Sequence, residues 1–258
     1  MDTEAVLALI REVADDVVVP RFRELDDHEV AEKGPGDLVT IADREAEELL
    51  TRALASAYPA AVMLGEEATA RDDRLLQRYR AADHAFTIDP VDGTKNFVQG
   101  SKDHAVMVAE VRRGVTVRSW IWQPQHHAAY VAELGAGAWT NGTRLTRPPP
   151  DDALRGVTSR RSWIGRALGV LRPLELTWVC CGVDYPKLVE GEADYALYSR
   201  SNPWDHAPGA LLLTEAGGYV GDFDGSAYRP QAEPPSGLVV AADRATYDRV
   251  SGLVPELP

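Results

Sequence analysis

The segment Ile88-Asp89-Pro90-Val91-Asp92-Gly93-Thr94-Lys95-Asn96-Phe97 constrains this chain more than any other stretch. It continues a run from His84 that reads as a strand, so two carboxylates stand three residues apart at a strand's carboxyl end. Layered α/β structures place ligands there. Pro90 stiffens the link, Gly93 permits close backbone approach, and a helix beginning at Thr94 would turn free N–H groups toward phosphate oxygens. Glu66, in Leu64-Gly65-Glu66-Glu67, and Asp205, in Trp204-Asp205, add two more acidic points at element junctions. Such oxygen donors suit a hard cation like Mg2+, which is held by few carboxylates together with water and substrate oxygens. In this reading Asp89 bridges two ions, Asp92 holds one, and the Val91 carbonyl is a neutral ligand. An Asp-Pro turn followed by an ordinary Asp92-Gly93 turn is the plainer alternative. The company of Glu66 and Asp205 weighs against it.

The 258 residues can bury a substantial core as one domain or two closely joined halves. A net charge of -13 argues against a nucleic-acid backbone as partner. It also disfavours phosphate ligands unless bound cations invert the local field. No run approaches the roughly 20 apolar residues that span a bilayer, and the acidic Met1-Asp2-Thr3-Glu4 lacks a signal-peptide pattern. The adjacent Cys180 and Cys181 read as buried core thiols of a reducing compartment. A cytoplasmic location without membrane or nucleic-acid partners is expected.

Apolar residues at helical spacing from Val6 to Val18 predict a first helix that Pro20 ends or kinks. Lys33-Gly34-Pro35-Gly36 is a turn cluster. A helix is predicted from Asp43 to Ala57 with Ala46, Leu49, Leu50, Ala53 and Leu54 as its stripe, and Asp43 either caps it or helps orient an attacking water. Ala61 to Leu64 is a short strand delivering Glu66, with Glu67 beside it as a supporting or solvated neighbour. Residues 68–83 are charged and weakly helical. From His104 to Val131 alternation predicts a meander, and Asn141-Gly142 marks a hairpin turn. Arg147-Pro148-Pro149-Pro150 is the clearest boundary. It divides an N-terminal half, 1–147, carrying most metal candidates, from a C-terminal half, 148–258, carrying Asp205 and much of the substrate pocket, within one compact unit. In the second half helices are expected over 184–190, 206–216 and 244–253, and strands over 193–197, from Tyr219 and over 237–242. His206 reads equally as a local hydrogen-bonding group or a catalytic one.

Asp37-Leu38-Val39-Thr40 with Asp43, Gly65-Glu66-Glu67, Asp89-Pro90-Val91-Asp92-Gly93-Thr94 with Asn96-Phe97, Gly137-Ala138 with Asn141-Gly142, Trp204-Asp205 with Gly209, and Glu215-Ala216-Gly217-Gly218 follow one another over nearly the whole chain. In this set and order the chain resembles the inositol monophosphatase family of magnesium-dependent, lithium-sensitive phosphatases. The resemblance implies an α/β (α+β) fold, a five-layer αβαβα sandwich, a homodimer and two or three Mg2+ ions. It implies that Glu66, Asp89 and the Val91 carbonyl hold the first ion, Asp89, Asp92 and Asp205 the second, and Glu66 a weaker third. Thr94, with Asp43 in support, would position the water, and the Gly93 and Thr94 N–H groups would cradle the phosphate. The implied chemistry is direct in-line hydrolysis of a small phosphate monoester, such as an inositol monophosphate or a related polyol or sugar phosphate.

Substrate choice stays open at this level. Inositol-specific members carry a glutamate about seven residues before the motif aspartate, and Tyr198 stands at that position. Asp184, in Cys181-Gly182-Val183-Asp184-Tyr185, occupies a pocket-lining part of the family and would read a hydroxyl or an ammonium, which makes histidinol phosphate a rival. Arg200 would meet a substrate carboxylate or second phosphate, or else lie solvated at the surface. Asp92 and Asp205 also belong to the implied substrate contacts. A 3′-phosphonucleotide phosphatase and, in a different class, a non-catalytic sugar-phosphate-binding protein are the remaining alternatives.

Overall fold

The computed structural model describes residues 1–34, 36–233 and 236–254. Asp2 caps the first helix, α1 (Thr3–Val13), its side chain accepting from the Ala5 N–H. The chain continues through a π turn (Ala14–Val18) and a 3-10 turn (Val19–Arg21) in which Pro20 closes the apolar run. Strands β1 (Val30–Gly34) and β2 (Asp37–Thr40) pair antiparallel as a separate hairpin; Pro35 of the expected turn cluster lies outside the described residues. Helix α2 (Ile41–Ala57) starts earlier than its apolar spacing suggests. Thr40 is the N-cap, and Asp43 is the third helical residue of a capping box. The cap role assigned to Asp43 is thereby corrected.

A seven-stranded sheet follows in the order β3 (Val62–Gly65), β4 (His84–Asp92), β5 (Ala105–Arg112), β6 (Val115–Gln123), β7 (Ala128–Glu133), β8 (Gly137–Thr140) and β9 (Thr143–Leu145). Between β3 and β4 run two short helices, α3 (Glu66–Arg71) and α4 (Arg74–Arg80). β4 passes the expected end at Ile88 and carries the whole Asp89-Pro90-Val91-Asp92 segment, because pairing with β5 resumes at Asp92↔Ala105. The register breaks between Asp89 and Asp92, and Pro90, which has no N–H to give a ladder, falls inside that bulge. Helix α5 (Thr94–Val98) leaves the strand directly. Asn141 and Gly142, at φ 45° and 81°, form the turn between β8 and β9.

The second sheet has the order β11 (Glu175–Leu176), β10 (Gly156–Thr158), β12 (Tyr195–Tyr198), β14 (Leu238–Ala241), β13 (Tyr219–Asp222). Helices α6 (Cys181–Glu190) and α7 (Pro203–Glu215) begin three residues before their expected starts, α7 with Pro203 in the first-turn position that proline tolerates. They lie between the two sheets. Ala105, Met107 and Ile121 of the large sheet, Val183, Leu188 and Leu212 of the helices, and Ala196 and Val240 of the small sheet share one core. On the large sheet's other face Val106, Val108, Trp120 and Trp122 pack against Ile10, Ala46, Leu50 and Leu54 of α1 and α2. Helix α8 (Arg244–Ser251) covers the small sheet's other face through Tyr247 and Val250. The result is the αβαβα sandwich. No helix among the described residues is long and apolar enough to cross a membrane.

Candidate metal and phosphate site

The parallel pairing of β3 with β4 matches Gly65 to Ile88, so the next residue of each chain, Glu66 and Asp89, leaves the same sheet edge side by side. The first turn of α7 brings Asp205 to them. Glu66, Asp89 and Asp205 each offer a carboxylate oxygen within 4.8 Å of the others. Asp89 is buried, and its Oδ1 has no hydrogen-bond partner. Burial, and then the neighbouring Glu66, Asp92 and Asp205, hold the Asp89 carboxyl well above the usual carboxylate range. Burial pushes Glu66 up to about 7 against the opposing pull of Lys33. Converging carboxylates with an orphaned buried oxygen resist joint ionisation unless a cation sits among them. The donor set, all hard oxygen, fits Mg2+.

Two expected ligands have other partners. The Asp92 Oδ2 accepts the Gly182 N–H at 2.5 Å and the Cys180 Sγ–H at 2.9 Å. The Val91 carbonyl accepts the Thr94 hydroxyl at 3.0 Å. Cys180 therefore belongs to the wall of the site as well as to the core. Gly93 holds φ +78°, and a Cβ there would come within 3.0 Å of the Asp103 carbonyl and the Cys180 Cβ; the left-handed turn that starts α5 thus needs glycine twice over. Asp43 is buried. Its Oδ2 accepts the Thr40 N–H and hydroxyl at 2.8 and 2.6 Å, while its Oδ1 faces the Thr94 hydroxyl at 3.1 Å. Burial pushes it up to about 6.

The scaffold around Glu66 depends on two residues that sequence reasoning passed over. Lys33, from β1, places its Nζ 2.6 Å from Glu66 Oε1 and 2.7 Å from Glu67 Oε1, offsetting charge beside the cluster. Glu47 is buried in α2 and accepts the Glu67 and Ala68 N–H groups at 2.7 and 2.8 Å, satisfying the open first turn of α3. Gly65 leaves room for it: a Cβ there would overlap the Glu47 carboxylate. Leu49, expected in the apolar stripe of α2, is instead exposed. The signal for Glu47 was its spacing of four from Asp43, which puts both acids on one helix face.

The structure does not bring Asp184 to the substrate side. It is 1% exposed, with Oδ1 accepting the Trp178 N–H at 2.8 Å and Oδ2 the Tyr198 hydroxyl at 3.0 Å. Burial pushes it up to about 8. Both carboxylate oxygens expected to read a substrate hydroxyl or ammonium are thus engaged by groups of the protein itself. Tyr198 likewise points inward, its ring parallel to Tyr185 at 6.2 Å, so the position yields no acid at the site. His206 is buried, between the Tyr185 hydroxyl and the Arg200 carbonyl, each 3.0 Å away, which favours its local hydrogen-bonding reading. A cavity of about 420 Å3 opens beside the carboxylates, lined by Gly34, Asp37, Glu66, Arg200, Asn202 and Asp205 among others. A larger one, about 1080 Å3, lies between α1 and strands β6–β8 and contains none of them.

The chain is similar to the inositol-1-monophosphatase of Mesorhizobium japonicum, 34% identical over 216 residues that cover 79% of each chain. It is similar to the Nus factor SuhB of Pseudomonas aeruginosa, 32% identical over 232 residues, 83% of this chain and 82% of that one. Among solved structures, the IMPase of Thermotoga maritima superposes with a TM-score of 0.81 at 25% identity, covering 98% of this chain and 96% of that one. The model of the inositol monophosphatase family matches residues 2–257. With its αβαβα layering and its carboxylate cluster, the chain belongs to the inositol monophosphatase family, within the phosphoric monoester hydrolases.

Proposed function

We propose that this protein hydrolyses a small phosphate monoester with Mg2+, inositol monophosphate or a related polyol or sugar phosphate, as a cytoplasmic homodimer. The carrying observation is the convergence of Glu66, Asp89 and Asp205 within 4.8 Å, close to the Thr94–Asp43 pair. The relative named inositol-1-monophosphatase supports the substrate class. In this reading Glu66, Asp89 and Asp205 hold the metal, joined by Asp92 and the Val91 carbonyl in place of their present hydrogen bonds. Two or three bound ions would offset the charge that develops on the phosphoryl oxygens and the departing alcohol.

The remaining work falls to the chain's own groups. Thr94 points its hydroxyl hydrogen at Asp43 or the Val91 carbonyl, which leaves the Oγ1 lone pairs to accept from the attacking water and aim it. Thr40 holds Asp43 in that position. N–H groups at the start of α5, with Gly93 and Thr94 first, receive phosphate oxygens. Glu67 steadies Glu66 through their common partner Lys33. The halves 1–147 and 148–258 act as one unit, because Asp205 completes a cluster begun by the first half.

The test is phosphate release with Mg2+ from myo-inositol 1-phosphate, L-histidinol phosphate and 3′-phosphoadenosine 5′-phosphate, paired with the thermal shift that Mg2+ produces. Release that stops on chelation and falls at least ~100-fold in Asp89→Asn, with loss of the Mg2+-induced shift, is expected. Mg2+ binding without release from any ester would sink the enzymatic reading in favour of a binding protein.

A further inference from the structure

Arg200 stands in the link between β12 and α7, is exposed, and lines the 420 Å3 cavity together with Glu66 and Asp205. Among the described residues it is the only cation in that lining. Among the described residues its guanidinium has no hydrogen-bond or ion-pair partner, whereas Lys33 next to the cluster is held by Glu66 and Glu67. The backbone beneath it is braced. His206 Nε2–H donates to the Arg200 carbonyl at 3.0 Å, and His206 Nδ1 accepts the Tyr185 hydroxyl at 3.0 Å. Tyr185 in turn lies parallel to the buried Tyr198. With its backbone anchored, the exposed Arg200 has only side-chain rotamer freedom to give up when its guanidinium binds.

We infer that Arg200 is a specificity-determining residue that binds an anionic group, a carboxylate or a second phosphate, on the alcohol portion of the ester. The inference rests on the phosphatase reading above. Asp37, Glu66 and Asp205 line the same cavity and would repel a second anion unless a cation met it. A guanidinium presents a planar fork that matches carboxylate and phosphate oxygens two at a time, which a neutral polyol does not exploit.

The experiment compares kcat/KM of the full chain with Mg2+ on matched esters: glycerol 3-phosphate against 3-phosphoglycerate, and fructose 1-phosphate against fructose 1,6-bisphosphate. In wild type the anionic member of at least one pair is preferred; which pair it is separates a carboxylate from a phosphate. Arg200→Gln is expected to lower kcat/KM for that member about 10- to 100-fold and for its neutral counterpart at most about threefold, with Arg200→Lys in between. Equal losses for both members, no loss for either, or a wild-type preference for the neutral members would overturn the assignment. Hydrolysis of myo-inositol 1-phosphate but of none of the four would overturn the assignment as well, whereas failure on all five refutes the phosphatase reading instead. Calorimetric binding of the same esters then decides Arg200, selective weakening in Arg200→Gln supporting it and uniform binding overturning it.

Discussion

Gly209→Ala tests whether the α6–α7 contact sets the position of Asp205. Gly209 lies in α7 four residues after Asp205, against the face of the Tyr185 ring of α6. A Cβ at Gly209 would overlap that ring, 2.7 Å from Cδ1 and closer still to Cγ and Cδ2, where ordinary contact begins at 3.4 Å. The ring cannot yield. It is fully buried, parallel to Tyr198 and tied through its hydroxyl to His206. The helices must therefore part by roughly 1 Å, in a core packed to crystal-like density. Overpacking of this kind costs about 1–3 kcal/mol, and a shift of roughly 1 Å at a reacting site costs on the order of 100-fold in rate. Urea unfolding gives the first quantity, and phosphate release with a Mg2+ titration the second. Tyr185→Leu should lower the cost of Gly209→Ala, so that a double-mutant cycle shows a coupling of about 1 kcal/mol or more. Full stability and unchanged Mg2+ response in Gly209→Ala, or strict additivity in the cycle, would refute the reasoning.

Two further perturbations address stability. His104 is fully buried between Phe22 and Phe97, with Nδ1 on the Ser101 carbonyl and Nε2 unpartnered, and burial pushes it down to about 4. The unfolded chain, with an ordinary histidine near 6.5, binds more protons between these values, so this group's stabilisation is whole above 6.5 and is lost as pH falls toward 4. Between pH 7 and pH 5 wild type should lose about 2 kcal/mol that His104→Phe does not lose; parallel urea-unfolding profiles for the two proteins would contradict this. Val179 holds φ +61° on a β-branched, exposed residue, a strain of about 1–3 kcal/mol that glycine relieves at an entropic cost of about 0.5–1 kcal/mol. Val179→Gly is expected to raise Tm by roughly 2–4 °C, and a lower Tm would show that the side chain contributes contacts that outweigh the strain.

Several features were local enough to read in the sequence. The strand runs of β5 and β6 and the Asn141-Gly142 turn depend on neighbouring residues alone, and the structure has both; β5 is nevertheless buried on both faces, and α1 ends at Val13 with Pro20 inside a later 3-10 turn. Boundaries were less legible where tertiary pairing overrides local preference. β4 runs through Pro90 because β5 resumes pairing at Asp92, and α2 starts at Ile41 because Thr40 and Asp43 cap one another. Glu47 was passed over because a glutamate looks solvent-bound until the open N–H groups of Glu67 and Ala68 meet it.

The sequence by itself determined the family resemblance, with the layered fold that it implies, and which acidic residues stand at element ends, since motif order is a one-dimensional property. The tertiary structure alone decided which of those acids meet. It joined Glu66 and Asp89 through the β3–β4 register and Asp205 through α7. It turned Asp92 toward Gly182 and withdrew Asp184 and Tyr198 into the core, leaving Arg200 at the cavity. The direction a side chain takes depends on contacts with residues far away in the chain, such as Asp92 and Cys180, 88 residues apart, and no local spacing encodes them.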